Sequence, residues 1–456
     1  MNTSIKHGTT LFLDRKATFV RHYLSSYTLP FWVAYYGVNI IVLLFGFRFL
    51  PMNDYPDWAY QGMLLREYLF HGNDAQGYYH LHSFIAPNCL STLLMALLGS
   101  FTSTDISGRI VTLIATLIMI SGCFRYLRSN SSINGSTAIH ASVWCTLSMH
   151  FFMGFINFLF GLGLLFHFLC NEDWRTDRQL PRSTILWLLL LYLSHPIALA
   201  IALTQLASII VLERRWELFY RLLALASPAI LLCIWYLSSD SHSVAAPTGL
   251  YFPTFKYFRH PFLVPAMVLK PFHFFKGLPE LSVGMKAVNA LAGMFFWLIV
   301  SYAVIRMIIY RRYSIYWWMV VGSVTAFILM PDHLLGVIVP AERLVVLCFI
   351  NALVCIYTPP VKSHDWMKTA FLSLIVLTFI YSGYSYTQVN TIISGNAPAL
   401  ALNEQMKKRE GIDPLARICY YKYFDKPAAI PIFPTGLFTY DGADTLDGKL
   451  EILKQF

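Results

Sequence analysis

The sequence predicts an all-α polytopic membrane protein with about 11 transmembrane helices, within a range of about 10–13. Three observations carry this. Hydrophobic residues make up 57% of the 456-residue chain. Charged residues make up only 13%, about half the share usual in a soluble domain. The apolar residues are gathered into runs near the roughly 17–25 residues that cross a hydrocarbon core. A backbone in lipid must satisfy its own hydrogen bonds, so these runs are expected to be helices.

The first run, 28–50, follows a basic stretch with Lys6, Arg15, Lys16 and Arg21. It is too long for a signal-peptide core and lacks a small-residue cleavage site, so it reads as a retained helix with a cytoplasmic N-terminus. Residues 51–106 then form a first outer loop, in which the apolar stretch 84–101 reads as a juxtamembrane helix. Further spans are expected at 107–127, 137–152, 154–171, 184–195, 197–213, 219–238, 286–309, 315–331, 341–358 and 366–385.

Lys and Arg in short loops stay in the cytoplasm. The clusters Arg125/Arg128, Arg175/Arg178/Arg182, Arg214/Arg215/Arg221, Arg306/Arg311/Arg312 and Lys362/Lys368 share that side under two conditions. Segment 84–101 must not cross, and 184–213 must be two short helices broken near His195-Pro196, where proline removes a backbone donor. Residues 1–385 then form the transmembrane domain, with 51–106 and 239–285 as outer loops. Residues 386–456, with a strand-like Ile430–Phe433, form a small extracytoplasmic C-terminal segment. Gly154, Gly161 and Gly163 mark close helix packing. The expected location is a bacterial inner membrane.

Composition also narrows function. The net charge of +10 is dispersed over loops with no dense basic patch, which argues against nucleic acid as a partner. The 8 cysteines form no CxxC pair, so neither a disulfide framework nor a zinc site is indicated. Motifs of the Walker A, GxGxxG, HExxH, GxSxG and CxxCH types are absent, which argues against an ATP-driven pump or a haem protein.

The candidate site lies on the outer face. In Met52-Asn53-Asp54-Tyr55-Pro56-Asp57-Trp58, two carboxylates stand at the mouth of the first span. Either can serve as general base on an acceptor hydroxyl or hold a divalent metal; Asp57 reads equally as the N-cap of a helix over Trp58–Phe70. His80 and His82, at i, i+2 spacing, would face one side of a strand as metal ligands do, or simply bond at the surface. His195 sits at the expected helix break, as a phosphate or sugar contact or as a packed ring meeting a freed carbonyl. Asp332, His333, Glu342 and Arg343 flank the tenth span. The guanidinium fork of Arg343 suits a lipid phosphate, and an internal acid–arginine pair is the alternative. Loop 239–285 mixes aromatics with Lys256, Arg259, Lys270 and Lys276 and fits an interfacial segment.

The order of these parts resembles the GT-C superfamily of integral-membrane glycosyltransferases. Asn53-Asp54-Tyr55-Pro56-Asp57 matches the position of that superfamily's catalytic acid. The sequence from Tyr78-Tyr79-His80 through Pro87-Asn88 to Gly108-Arg109-Ile110-Val111 is similar to its loop-to-helix order. Met153–Gly163 looks like a run found in bacterial members. The resemblance covers roughly residues 28–215 and Glu342-Arg343, and the family's two-acid pattern is met only loosely.

It implies transfer of a sugar from a polyprenyl-phosphate donor to a glycan, lipid or protein acceptor at the outer face. Asp54 would act on the acceptor hydroxyl, and Arg343 with His195 or His333 would meet the phosphate. Membrane lipids and the lipid-linked donor are the expected partners, and the only cofactor in view is a divalent metal. Two alternatives stand beside it: a transporter or flippase for a lipid-linked or small solute, and a non-catalytic subunit of an envelope polysaccharide machine. A transporter needs polar groups at the midplane, and here Thr204-Gln205 is the strongest such pair within a span.

Overall fold

The computed structural model describes residues 28–48, 50, 52, 54–71, 79–81, 86–170, 180–212, 214–238, 283–310, 314–329, 333–334, 337–338, 343–358, 365–394 and 438–440. These form a helical membrane protein. In chain order the helices are α1 (Thr28–Phe45), α2 (Tyr55–His71), α3 (Leu90–Gly99), α4 (Thr104–Asn130), α5 (Gly135–Thr146), α6 (Met149–Phe152), α7 (Ile156–Leu169), α8 (Thr184–Ser194), α9 (Pro196–Leu212), α10 (Trp216–Ser238), α11 (Val283–Tyr310), α12 (Ile315–Leu329), α13 (Val345–Tyr357) and α14 (Asp365–Ser394). Among the described residues, five of them (α1, α4, α10, α11 and α14) are long and apolar enough to cross a membrane. Their outer faces expose large apolar side chains such as Val38, Leu231 and Ile309 (61%, 63% and 68% exposed), a surface that suits lipid rather than water.

A helix occupies each run expected to cross, but several boundaries differ. The expected span 137–152 is broken: α5 ends at Thr146, Leu147 leaves the helical region, Ser148 is extended, and α6 is a single turn. The last helix runs on to Ser394, beyond the expected boundary at 385. The strand-like Ile430–Phe433 and the loop 239–282 lie outside the described residues. The C-terminal segment instead contributes Phe438–Tyr440 (β4), which pairs antiparallel with Tyr79–Leu81 (β1), setting Thr439 opposite His80. A second small ladder joins His333–Leu334 (β2) to Val337–Ile338 (β3).

Local chemistry explains the helix ends. Ser103 caps α4 by accepting from the Ile106 amide, and Asn134 caps α5 by accepting from the Thr137 amide at 2.8 Å. At ~1.5 Å per residue, α3 is ~15 Å long, half a hydrocarbon core. It packs against α2 and α4 at one end of the bundle.

The packing has two distinct ends. At one end the α13 terminus meets the loop after α4, where Ser132 donates its amide to the Tyr357 carbonyl at 3.0 Å. Arg306 also donates to Ile356 O there, at 2.6 Å. At the other end the buried Arg109 of α4 reaches the C-terminus of α1. It donates to the carbonyls of Leu44, Phe47 and Arg48 and pairs with Asp105 at 2.7 Å. Between the ends α5 is enclosed, with every residue from Thr137 to Thr146 buried. Trp144 packs edge-on or tilted against Phe295, Phe349 and Phe371 of the C-terminal helices, while the Tyr36 hydroxyl lies 2.6 Å from His140 Nδ1.

Candidate functional site

The site is built on the turn between α6 and α7. Gly154 has φ +74°, a left-handed conformation that costs an L-residue roughly 1–2 kcal/mol. A Cβ there would lie 2.7 Å from Tyr55 N and 3.3 Å from Asp54 N. The absent side chain lets this turn press directly on the start of α2. Asp54 completes the contact by donating its amide to Met153 O at 2.8 Å. We expect Gly154→Ala to lower stability by about 2 kcal/mol through the positive φ and the contact with Tyr55 N. Thermal unfolding in detergent measures this.

The two acids exchange their expected positions. Helix α2 begins at Tyr55, not Trp58, because the Trp58 amide already bonds to Asp54 O at 3.2 Å. Asp54 therefore stands at the N-cap, and Asp57 lies within the first turn. Pro56 fits that turn because its missing N–H has no helical partner to lose. Asp54 is half-buried.

The same turn anchors the neighbouring elements. Asn157, buried in the first turn of α7, accepts from the Ser91 amide at 2.7 Å and donates to Asn88 O at 2.8 Å. This caps α3 and holds segment 86–99 at the Asp54 end of the bundle. The break expected at His195-Pro196 is present: α8 ends at Ser194, His195 is extended, and α9 begins at Pro196. Pro196 lacks an amide and the Ile197 amide turns to His195 Nδ1 at 3.2 Å, so Leu193 O is freed. The Cys89 amide takes it at 2.8 Å. Gly161 faces this break, where a Cβ would lie 3.1 Å from His195 Cβ.

Arg343 opens α13 and closes the site. Its guanidinium lies 4.6 Å from the centre of the Phe155 ring and 5.6 Å from that of Phe158, a cation–π arrangement. Its Nη1 reaches His195 Nε2. The His195 ring is buried and packs edge-on against Phe158 at 5.0 Å. Its two nitrogens face the Ile197 amide and the Arg343 guanidinium, both of which only donate. A doubly protonated ring would oppose a donor on both sides, whereas a singly protonated ring accepts from one of them and opposes the other. His150, with Nδ1 3.1 Å from Ser148 Oγ, packs against Phe158 with the rings tilted and their centres 4.8 Å apart.

The structure thus joins Asp54, His195 and Arg343 through residues 150–158. The side chains of Asp57, His80, His82, Asp332, His333 and Glu342 lie outside the described residues. Among the described residues no cluster of three or more His, Cys, Asp or Glu is placed to hold a metal. Sequence reasoning missed Phe155 and Phe158 as the platform under Arg343, and it missed Arg109 as a cap on α1. The signal for Arg109 was available: an arginine four residues after Asp105 inside an apolar helix. Comparison with family models, curated proteins and solved structures finds no match to this chain.

Proposed function

We propose that the chain transfers a sugar from a polyprenyl-phosphate donor to an acceptor hydroxyl at the outer face of the membrane, as its GT-C resemblance implies. The supporting observation is that one turn, Met153–Phe158, holds the backbone of Asp54 on one side and the guanidinium of Arg343 on the other. Asp54 accepts the acceptor hydroxyl's proton as that oxygen bonds to the anomeric carbon. The bond from that carbon to the phosphate oxygen breaks, and the polyprenyl phosphate departs against Arg343. Asn157 and Gly154 are positioning residues. In this proposal α1, α4, the α5–α6 pair and α7 to α14 form eleven spans, α2 and α3 lie at the outer face, and the N-terminus is cytoplasmic. The protein sits in a bacterial plasma membrane.

The test uses full-length protein in nanodiscs with labelled prenyl-phosphate sugars and a panel of glycan and lipid acceptors. Asp54→Asn should reduce transfer by at least about a hundredfold, the lower range for loss of a general base. Arg343→Gln should reduce it by at least about tenfold, with a raised KM for the donor. Near-normal turnover by Asp54→Asn would remove its assigned role.

A second reading is favoured by one observation, the helix breaks at Leu147-Ser148 and His195-Pro196. Discontinuous helices also build solute sites in transporters. Movement of a lipid-linked sugar across vesicles without any transfer product would support that reading instead.

A further inference from the structure

The opposite end of the bundle carries polar groups that the site above does not use. Ser121 and Arg125 lie one turn apart on the exposed face of α4. His167 lies one turn from the end of α7, partly exposed, with Nε2 2.9 Å from Ser121 Oγ. Arg125 is within electrostatic reach of His167. Among the described residues Arg125 makes no hydrogen bond or ion pair, whereas Arg109, Arg128 and Arg306 all do. These groups border a close helix contact, where a Cβ on Gly122 would lie 2.4 Å from Gly163 O. The surface beside them exposes apolar side chains such as Leu117 (48% exposed), so with α4 spanning the bilayer this polar group adjoins a lipid-facing surface.

The Ser121 hydroxyl meets Ile118 O at 3.1 Å as well as the imidazole. The guanidinium of Arg125 has no such partner among the described residues, and on a lipid-facing surface that is costly unless something polar meets it. These groups lie within about two turns of the end of the bundle, at a depth that a long arginine side chain spans toward the headgroups. The guanidinium fork matches the oxygens of a phosphodiester. We propose that Ser121, Arg125 and His167 bind the phosphate of an anionic phospholipid, with its chains lying along α4 and α7. The occupant is a lipid and not free phosphate, because the face it must approach is apolar on either side. This site is independent of the proposed sugar transfer.

The experiment uses the full-length protein and lipid retention. Protein extracted from vesicles of phosphatidylglycerol and phosphatidylcholine is weighed by native mass spectrometry, and its melting temperature is measured with each lipid added. The wild type should retain phosphatidylglycerol preferentially and melt higher with it. Arg125→Gln and His167→Phe should each cut that retention at least fivefold. Arg182→Gln, which removes an exposed arginine beyond α7, should leave it unchanged. Three results would overturn the assignment: no preference for phosphatidylglycerol in the wild type, an equal loss in Arg182→Gln, or displacement of the lipid by millimolar inorganic phosphate. Should Arg125→Gln fold poorly, Arg125→Lys serves in its place. It keeps the charge without the fork, and wild-type retention by it would count against phosphate recognition by the guanidinium.

Discussion

Arg109→Met is expected to destabilise the protein by about 3–5 kcal/mol, the range for removing one partner of a buried charged network. Arg109 is 4% exposed and donates to three carbonyls at the end of α1. A helix C-terminus leaves its last carbonyls without intrahelical partners. Each carbonyl left unpaired away from water costs roughly 1–3 kcal/mol. Asp105 contributes less, since its side chain is 38% exposed and water meets much of its charge. Asp105→Asn should therefore cost about 1 kcal/mol or less. Arg109→Lys should fall between the two, because an ammonium cannot reach the three carbonyls in the fork's geometry. Melting temperatures of the three variants in one detergent give the order. A milder effect for Arg109→Met than for Asp105→Asn would show that the carbonyl contacts carry little of the stability.

Gly122→Ala is expected to cost about 3 kcal/mol, the upper part of the range for overpacking a filled interface. The new methyl would meet Gly163 O at 2.4 Å, with Gly163 C and Cα at 3.1 and 3.2 Å. All three are backbone atoms, so no side chain can turn aside, and α4 must move away from α7. Gly163 faces the same constraint, as its Cβ would lie 2.7 Å from Met119 N. Without water to drive helices together, close van der Waals contact is what holds them, and separation forfeits it. Gly37→Ala in α1 provides the contrast. Nothing lies within 4 Å of its Cβ position, so that change should gain up to about 1 kcal/mol of helix propensity. Chemical or thermal unfolding of the pair separates a packing effect from a propensity effect; destabilisation of both variants alike would refute the packing account.

Much of the architecture was legible because apolar runs in lipid have few options, and helices stand where such runs occur. The His195 break was legible because proline carries its cause in its own ring. The break after Thr146 was not. Neither Pro nor Gly marks Leu147-Ser148; the bends there accompany the contact of Ser148 with His150 and the docking of the following turn on Asp54. The start of α2 was misplaced for a local reason: Asp57-Trp58-Ala59 has the composition of a helix start, yet Asp54 takes the cap because Pro56 is at ease in a first turn. The candidate site was legible only as residues sharing a face. That Arg343 rests on Phe155 and Phe158 depends on a contact between α13 and α7, to which no local pattern in either segment points. Conversely, the close approach at Gly163 was foreshadowed by small residues in the run Gly154–Gly163, whereas Gly154 itself serves a turn rather than a helix crossing.

The enclosure of α5 bears on how the chain is made. Its twelve residues include His140, Ser142 and Thr146, all buried. It is absent from the apolar helices that qualify by composition for the bilayer. Part of its wall is α14, among the last described segments to leave the ribosome. A chain halted before residue 365 leaves that side of α5 uncovered, although His140 keeps its Tyr36 partner and the Ser142 and Thr146 hydroxyls bond within the helix. The C-terminal half is thus needed to complete the wall around α5, and truncations within α14 are expected to unfold more readily than the full chain.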